Sequence, residues 1–166
     1  MGQEITLSLA LRSRHARIVG VQTLFVAIRD DTPARNLDKS ITTALSKAGA
    51  DTDTKITPDS VVLRRIVSAY DDNREKIWEI VSGHLPEAWP LKRVDPVIKA
   101  ILGAALAEAF SQKTPGKVIL REYTTIADSF FSHKEIDFIH SIISGMLQKT
   151  GYLENNTCTK DLLKVT

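Results

Sequence analysis

The chain has 166 residues, a formal net charge of +2 and a single cysteine, Cys158. That length suits one domain with a sizeable core, and contents of 43% hydrophobic and 25% charged residues are those of a soluble globular protein. The small net charge excludes a wholesale polycation, so affinity for nucleic acid has to come from a local patch, and the lone cysteine excludes an internal disulfide and fits a reducing, cytoplasmic compartment.

Such a patch comes first in chain order. Arg12, Arg14, His15 and Arg17 fall within six residues, and concentrated guanidinium charge, planar and permanently protonated, is suited to phosphate. An apolar stripe of Ile18, Val21, Leu24, Phe25 and Ile28 follows at helical spacing and predicts the first helix. Residues 48–57 are small and polar and read as a loop. Val62, Ile66, Ala69 and Tyr70 predict a further helix, continued by Ile77, Ile80 and Val81, with Asp71-Asp72-Asn73 marking a bend or join between them. Residues 84–92 hold Pro86 and Pro90 around Trp89 and read as a rigid connector. Ile98, Ile101, Leu102, Ala105, Leu106 and Ala109 describe one broad buried face. Ile119, Tyr123, Ile126 and Phe130 make another stripe, and Ile136, Ile139, Ile143, Met146 and Leu147 the last. Thr32-Pro33, Thr57-Pro58, Asp95-Pro96 and Thr114-Pro115 each set a capping residue before proline, a helix-start signal.

No strand-like alternation is read. The pattern predicts an all-α fold of about seven helices joined by short loops, as a single domain over residues 1–150 with a mobile tail over 151–166. The first residues lack the apolar run of a signal peptide. The most apolar stretch, 94–110, carries Asp95, Lys99 and Glu108, so no membrane span is expected.

The inventory argues against catalysis. His15, His84, His133 and His140 have no metal-ligand spacing to one another or to Cys158. The sequence has no glycine-rich phosphate loop, nucleophile elbow or H-E-x-x-H motif. Asp71-Asp72 and Glu135-Asp137 read as loop and cap residues. Neither enzyme activity, cofactor nor metal is expected. Trp78 and Trp89 read as packing residues, with Trp89 the one partly exposed at a partner surface.

Taken together, the motifs resemble the NusB family of bacterial transcription antitermination factors. Residues 16–25, Ala-Arg-Ile-Val-Gly-Val-Gln-Thr-Leu-Phe, are similar to that family's opening A-R-x-x-A-x-Q-A-L-[YF]. Arg93 to Leu102, with Glu108 beyond, resembles its fifth helix, R-L-D-x-V-L-R-A-I-L ending in Y-E-L. Thr114 to Tyr123 resembles V-P-x-[KR]-V-x-I-N-E-[AY], the start of its sixth. Phe130-Phe131 and Phe138 to Ile143 stand where the family has F-[FG] and F-V-N-G-[VI]-L. The order and spacing cover residues 12 to about 150; residues 31–57 and 151–166 carry no family signal.

The resemblance implies two packed subdomains of three to four helices. It implies a non-catalytic factor that binds single-stranded boxA-type RNA of ribosomal RNA leader transcripts. The implied partner is NusE, a small-subunit ribosomal protein, within the RNA polymerase antitermination complex; homodimers also occur among relatives. Carried across, Arg12, Arg14, His15 and Arg17 become RNA contacts, joined by Gln22, Lys117, Phe138 and His140, while Phe25, Trp89 and Lys99 fall to NusE. The chain departs from the family pattern at Gly103 (usually Arg), Ala107 (usually Tyr), Arg121 (usually Asn) and His140-Ser141 (usually Asn-Gly). Gly103 thereby removes a charge expected on the fifth helix. Two alternatives stand beside this reading: a module that binds NusE or itself without RNA, and the NusB-like RNA-binding fragment of a ribosomal RNA cytosine methyltransferase.

Overall fold

A computed structural model describes residues 2–37, 39, 43 and 56–153. Its described residues form six α-helices and no strand: α1 (Gly2–Asp30), α2 (Ser60–Asp72), α3 (Arg74–His84), α4 (Pro96–Phe110), α5 (Gly116–Asp128) and α6 (His133–Lys149). Short 3-10 turns at Ala34–Asn36 and Leu91–Arg93 complete them. The all-α architecture is as the periodicity predicts, with six α-helices among the described residues in place of about seven.

Helix α4 organises the packing. It lies against α1, α2 and α3 on one side and against α5 and α6 on the other, so the two groups of helices share it. The expected single buried face becomes burial all round: Ala100, Gly103, Ala104, Ala107 and Glu108 are as buried as the stripe residues. Small side chains on the remaining faces make this possible, because they let neighbouring helices approach on every side. Gly103 is one of them. A Cβ there would stand 3.3 Å from Trp78 Cη2 and 3.5 Å from Leu24 Cδ2, so the position belongs to the core. The charge that the family pattern places on this helix would here point into the core.

Of the four capping residues before proline, Asp95 caps an α-helix with its side chain. Asp95 accepts from Val97 N at 2.7 Å, with Pro96 in the first helical position. At the second site Asp59, rather than Thr57, caps α2, accepting from Val61 N and Val62 N. Helix α5 starts at Gly116 with Pro115 at its cap position, because the Thr114 hydroxyl is committed elsewhere. Thr32-Pro33 leads into a 3-10 turn, whose amides are held by Asp71: Ala34 N and Arg35 N donate to its carboxylate at 2.8 and 2.9 Å. Asn73 ends α2 and begins α3, so the expected join is there. Glu135 is indeed a cap residue, accepting from Ser132 N at 3.1 Å.

Three boundaries differ from the periodic reading. Helix α1 begins at Gly2, so the basic cluster lies inside a helix of 29 residues and not ahead of one; Ile5, Leu7 and Leu9 of its first turns are exposed. Phe130 is exposed, since α5 ends at Asp128 before its stripe reaches that far. Tyr152 and Leu153 pack against the core, with Tyr152 edge-on to Phe110 at 6.0 Å; the rest of the expected tail, like residues 48–55 of the expected loop, lies outside the described residues.

Candidate nucleic-acid interface

A helix turns about 100° per residue, so the arginines of α1 cannot share one face. Arg12 and Arg14 point to nearly opposite sides, whereas Arg14 and Arg17 stand one turn apart on the same side. The contacts follow this geometry. Arg12 faces the segment leading into α2: its Nε donates to Thr57 O at 3.1 Å, and its own carbonyl accepts from Asp59 N. Its Nη nitrogens have no partner among the described residues.

Arg17 is buried, only 6% exposed, and paired within the core. Its Nε and Nη2 donate to the Glu108 carboxylate at 2.7–3.1 Å. Glu108 also accepts from Thr114 Oγ1 at 2.7 Å and from Tyr123 OH at 2.8 Å. Arg17 Nε and Nη2, Thr114 Oγ1 and Tyr123 OH thus converge on one buried carboxylate, as buried charge requires. Burial works against the Arg17 charge, but the Glu108 hydrogen bonds and field outweigh it and hold the guanidinium protonated more firmly than usual. The Tyr123 hydroxyl is pushed well above its ordinary pKa by burial and by the negative Glu108 beside it. This network joins α1, α4 and α5, and it occupies the arginine that the sequence assigns to RNA.

Arg14 takes an intermediate position. Its Nε and Nη2 form a fork on Glu122, at 2.8 and 2.9 Å, while 41% of its side chain remains exposed and Nη1 is unpaired among the described residues. The Arg14 hydrogen bonds hold Glu122 ionised below its ordinary range, against the cost of burial. The fork has the planar two-point geometry of an arginine on a carboxylate or a phosphate.

The other assigned residues are dispersed. Gln22, Lys117 and His140 are exposed, and His15 and Lys99 half-buried; none makes a side-chain hydrogen bond among the described residues. Phe25 is partly buried against the core. Phe138 is brought to Trp89, ring centroids 5.3 Å apart. These two rings, with Pro86, Ile98, Phe131 and Arg93, line a groove of about 660 Å³, and Trp89 is 48% exposed in it. A residue assigned to RNA and one assigned to a protein partner therefore share one concavity.

Sequence reasoning did not find the two carboxylates that organise the cluster. Glu108 carries a signal, being the sole acid in the alanine-rich run 96–110, since a charge in such a helix needs a buried partner. For Glu122 the one signal is its match to the fixed E of the sixth-helix motif; its own surroundings are those of an ordinary amphipathic helix. Among the described residues no group of histidine, cysteine or acidic side chains is placed to hold a metal ion, and no helix is long and apolar enough to cross a membrane.

Fold and surface together define an all-α protein that sets a basic helix on a central one buried from Ala100 to Ala109 and offers an aromatic groove beside it. The chain belongs to the NusB family of transcription antitermination factors, whose family model matches residues 14–148. It is 31% identical over 139 residues to the transcription antitermination protein NusB of Gluconobacter oxydans, covering 82% of this chain and 86% of that one. Identity to the NusB of Agrobacterium fabrum is 37% over 94 residues, 56% of this chain and 57% of the relative. The solved structure of T. maritima NusB superposes with a TM-score of 0.65 at 22% identity, covering 82% of this chain and 90% of that chain, a likeness of fold.

Proposed function

We propose that this chain acts in transcription antitermination by binding single-stranded, boxA-type RNA of ribosomal RNA leaders together with NusE, in the cytoplasm and without catalysing a reaction. The observation that carries the reading is the state of Arg14: half-exposed, permanently charged, fixed by Glu122 and left with Nη1 to donate. A fixed guanidinium loses little freedom on meeting a phosphate. Arg12, on the other side of α1, is the second contact, so the strand crosses the helix between them. His15, Gln22, Lys117 and His140 line its course, and Phe138 offers a ring for an unpaired base. NusE contacts Phe25, Trp89 and Lys99 in this reading. Because Trp89 and Phe138 touch, the RNA and NusE surfaces meet at their groove, and each ligand should strengthen the other. Residues 1–150 work as one domain in this account.

One observation favours a second reading. Glu108 and Glu122 neutralise Arg17 and Arg14, which lowers the free charge of the cluster and suits a module that holds NusE, or a second copy of itself, without RNA.

Fluorescence anisotropy with a labelled boxA-type RNA, at several salt concentrations and with and without NusE, separates the two. Salt-sensitive binding that tightens with NusE is the expected result. Capture of NusE with no RNA binding in either condition would overturn the proposal in favour of the second reading.

A further inference from the structure

We propose that Arg121 is a second phosphate-binding residue, working with Arg14 across the Glu122 carboxylate that both share; this rests on the reading that the chain binds RNA. Arg14 Nη2 donates to Glu122 Oε1 at 2.9 Å, and Arg121 Nη2 reaches the same oxygen at 3.5 Å. Two guanidinia converging on one carboxylate oxygen stand close enough for the oxygens of a single phosphate to meet both. Their exposures give the direction. The Glu122 side chain is 6% exposed beneath them, and that of Arg121 is 70% exposed, so the carboxylate forms the floor of the site and the free donors face outward. Arg121 Nε and Nη1 have no partner among the described residues.

Charge decides why this residue matters. Arg14, Arg17, Glu108 and Glu122 sum to zero, so the two carboxylates offset much of the attraction that Arg14 alone offers a phosphate. Arg121 restores one positive charge there. Lys117 lies one turn earlier on the same face of α5 and is also exposed, which extends the charge into a short track along the helix. The NusB pattern carries asparagine where this chain has Arg121, so the second guanidinium is a feature of this chain.

The test is Arg121→Asn, measured by anisotropy against the same single-stranded RNA between 0.1 and 1 M salt, with exposed Lys76→Asn as the control for a lost charge elsewhere. One phosphate contact on a single strand contributes a slope of roughly 0.7 per decade of salt, so the variant should bind about fivefold more weakly at 0.1 M and converge with the parent near 1 M. The Lys76 variant should follow the parent, and both variants should unfold at the parent's urea midpoint. Equal affinity and slope for Arg121→Asn and the parent would overturn the assignment of Arg121 while leaving RNA binding intact. A parent that binds no RNA at all would overturn the proposed function, and this inference with it.

Discussion

Arg17 and Glu108, 91 residues apart in sequence, form a buried ion pair that fastens the basic segment of α1 to the centre of the molecule. The pair is closed by Tyr123 and Thr114, and its burial, 6% exposure for Arg17 and 1% for Glu108, keeps both charges from a ligand. One of three clustered arginines is therefore part of the framework, and the two beside it are left to act at the surface.

Removing one member strands the other charge in the core. Arg17→Ala and Glu108→Ala should each lower unfolding free energy by about 3–5 kcal/mol. The double variant Arg17→Met/Glu108→Leu should recover most of that loss, because no unpaired charge remains. Urea denaturation of the three variants measures this, and single variants as stable as the parent would show that the pair is dispensable.

Glu122 makes stability depend on acid. Its folded pKa is lowered, first by the Arg14 hydrogen bonds, below the unfolded value of about 4.3. A lowered carboxylate pKa contributes stability that is fully present above the unfolded pKa and is lost as pH falls through the folded one. Glu122→Gln should cost about 1 kcal/mol at pH 7, as a partly exposed bidentate pair does, and the difference from the parent should shrink as pH falls from 5 towards 3. Urea midpoints across that range provide the check; a difference that stays constant with pH would place the effect in packing.

Gly103 should resist the residue usual in its family. The Cβ position is already bounded by Trp78, Leu24 and Tyr70, and an arginine there would be both overpacked and buried without a partner. Gly103→Arg should destabilise by about 3 kcal/mol or more, whereas Gly103→Ala, whose tight contact with Trp78 is offset by about 1 kcal/mol of helix propensity, should stay within about 1 kcal/mol of the parent. Thermal melts of both variants test this, an unchanged melting temperature for the arginine variant being the contrary result.

The helices were legible because their apolar stripes repeat locally. Val21, Leu24, Ile66, Ile101, Ile139 and Ile143 are all buried as their spacing predicts. What was not legible is how the helices pair. Nothing local distinguishes Arg17 from Arg14, and their different fates are set by Glu108 and Glu122 on two helices far along the chain. Caps were misplaced for a similar reason: Thr114 reads as a cap locally, but its hydroxyl serves the Glu108 network. The groove illustrates the same limit, since Trp89 and Phe138 become neighbours only when the proline-bounded connector folds against α6.

The central claim is that Arg12 and Arg14 bind RNA while Arg17 holds the fold. Its most direct test is the salt dependence of RNA binding by the double variant Arg12→Gln/Arg14→Gln, read beside its urea denaturation. The slope should fall by about 1.4 relative to the parent, two single-strand phosphate contacts' worth, with unfolding free energy lowered by about 1–3 kcal/mol, since Glu122 loses its partner, and the variant still folded. A slope equal to the parent's, in a variant that remains folded, would contradict the account and place the RNA elsewhere on the molecule.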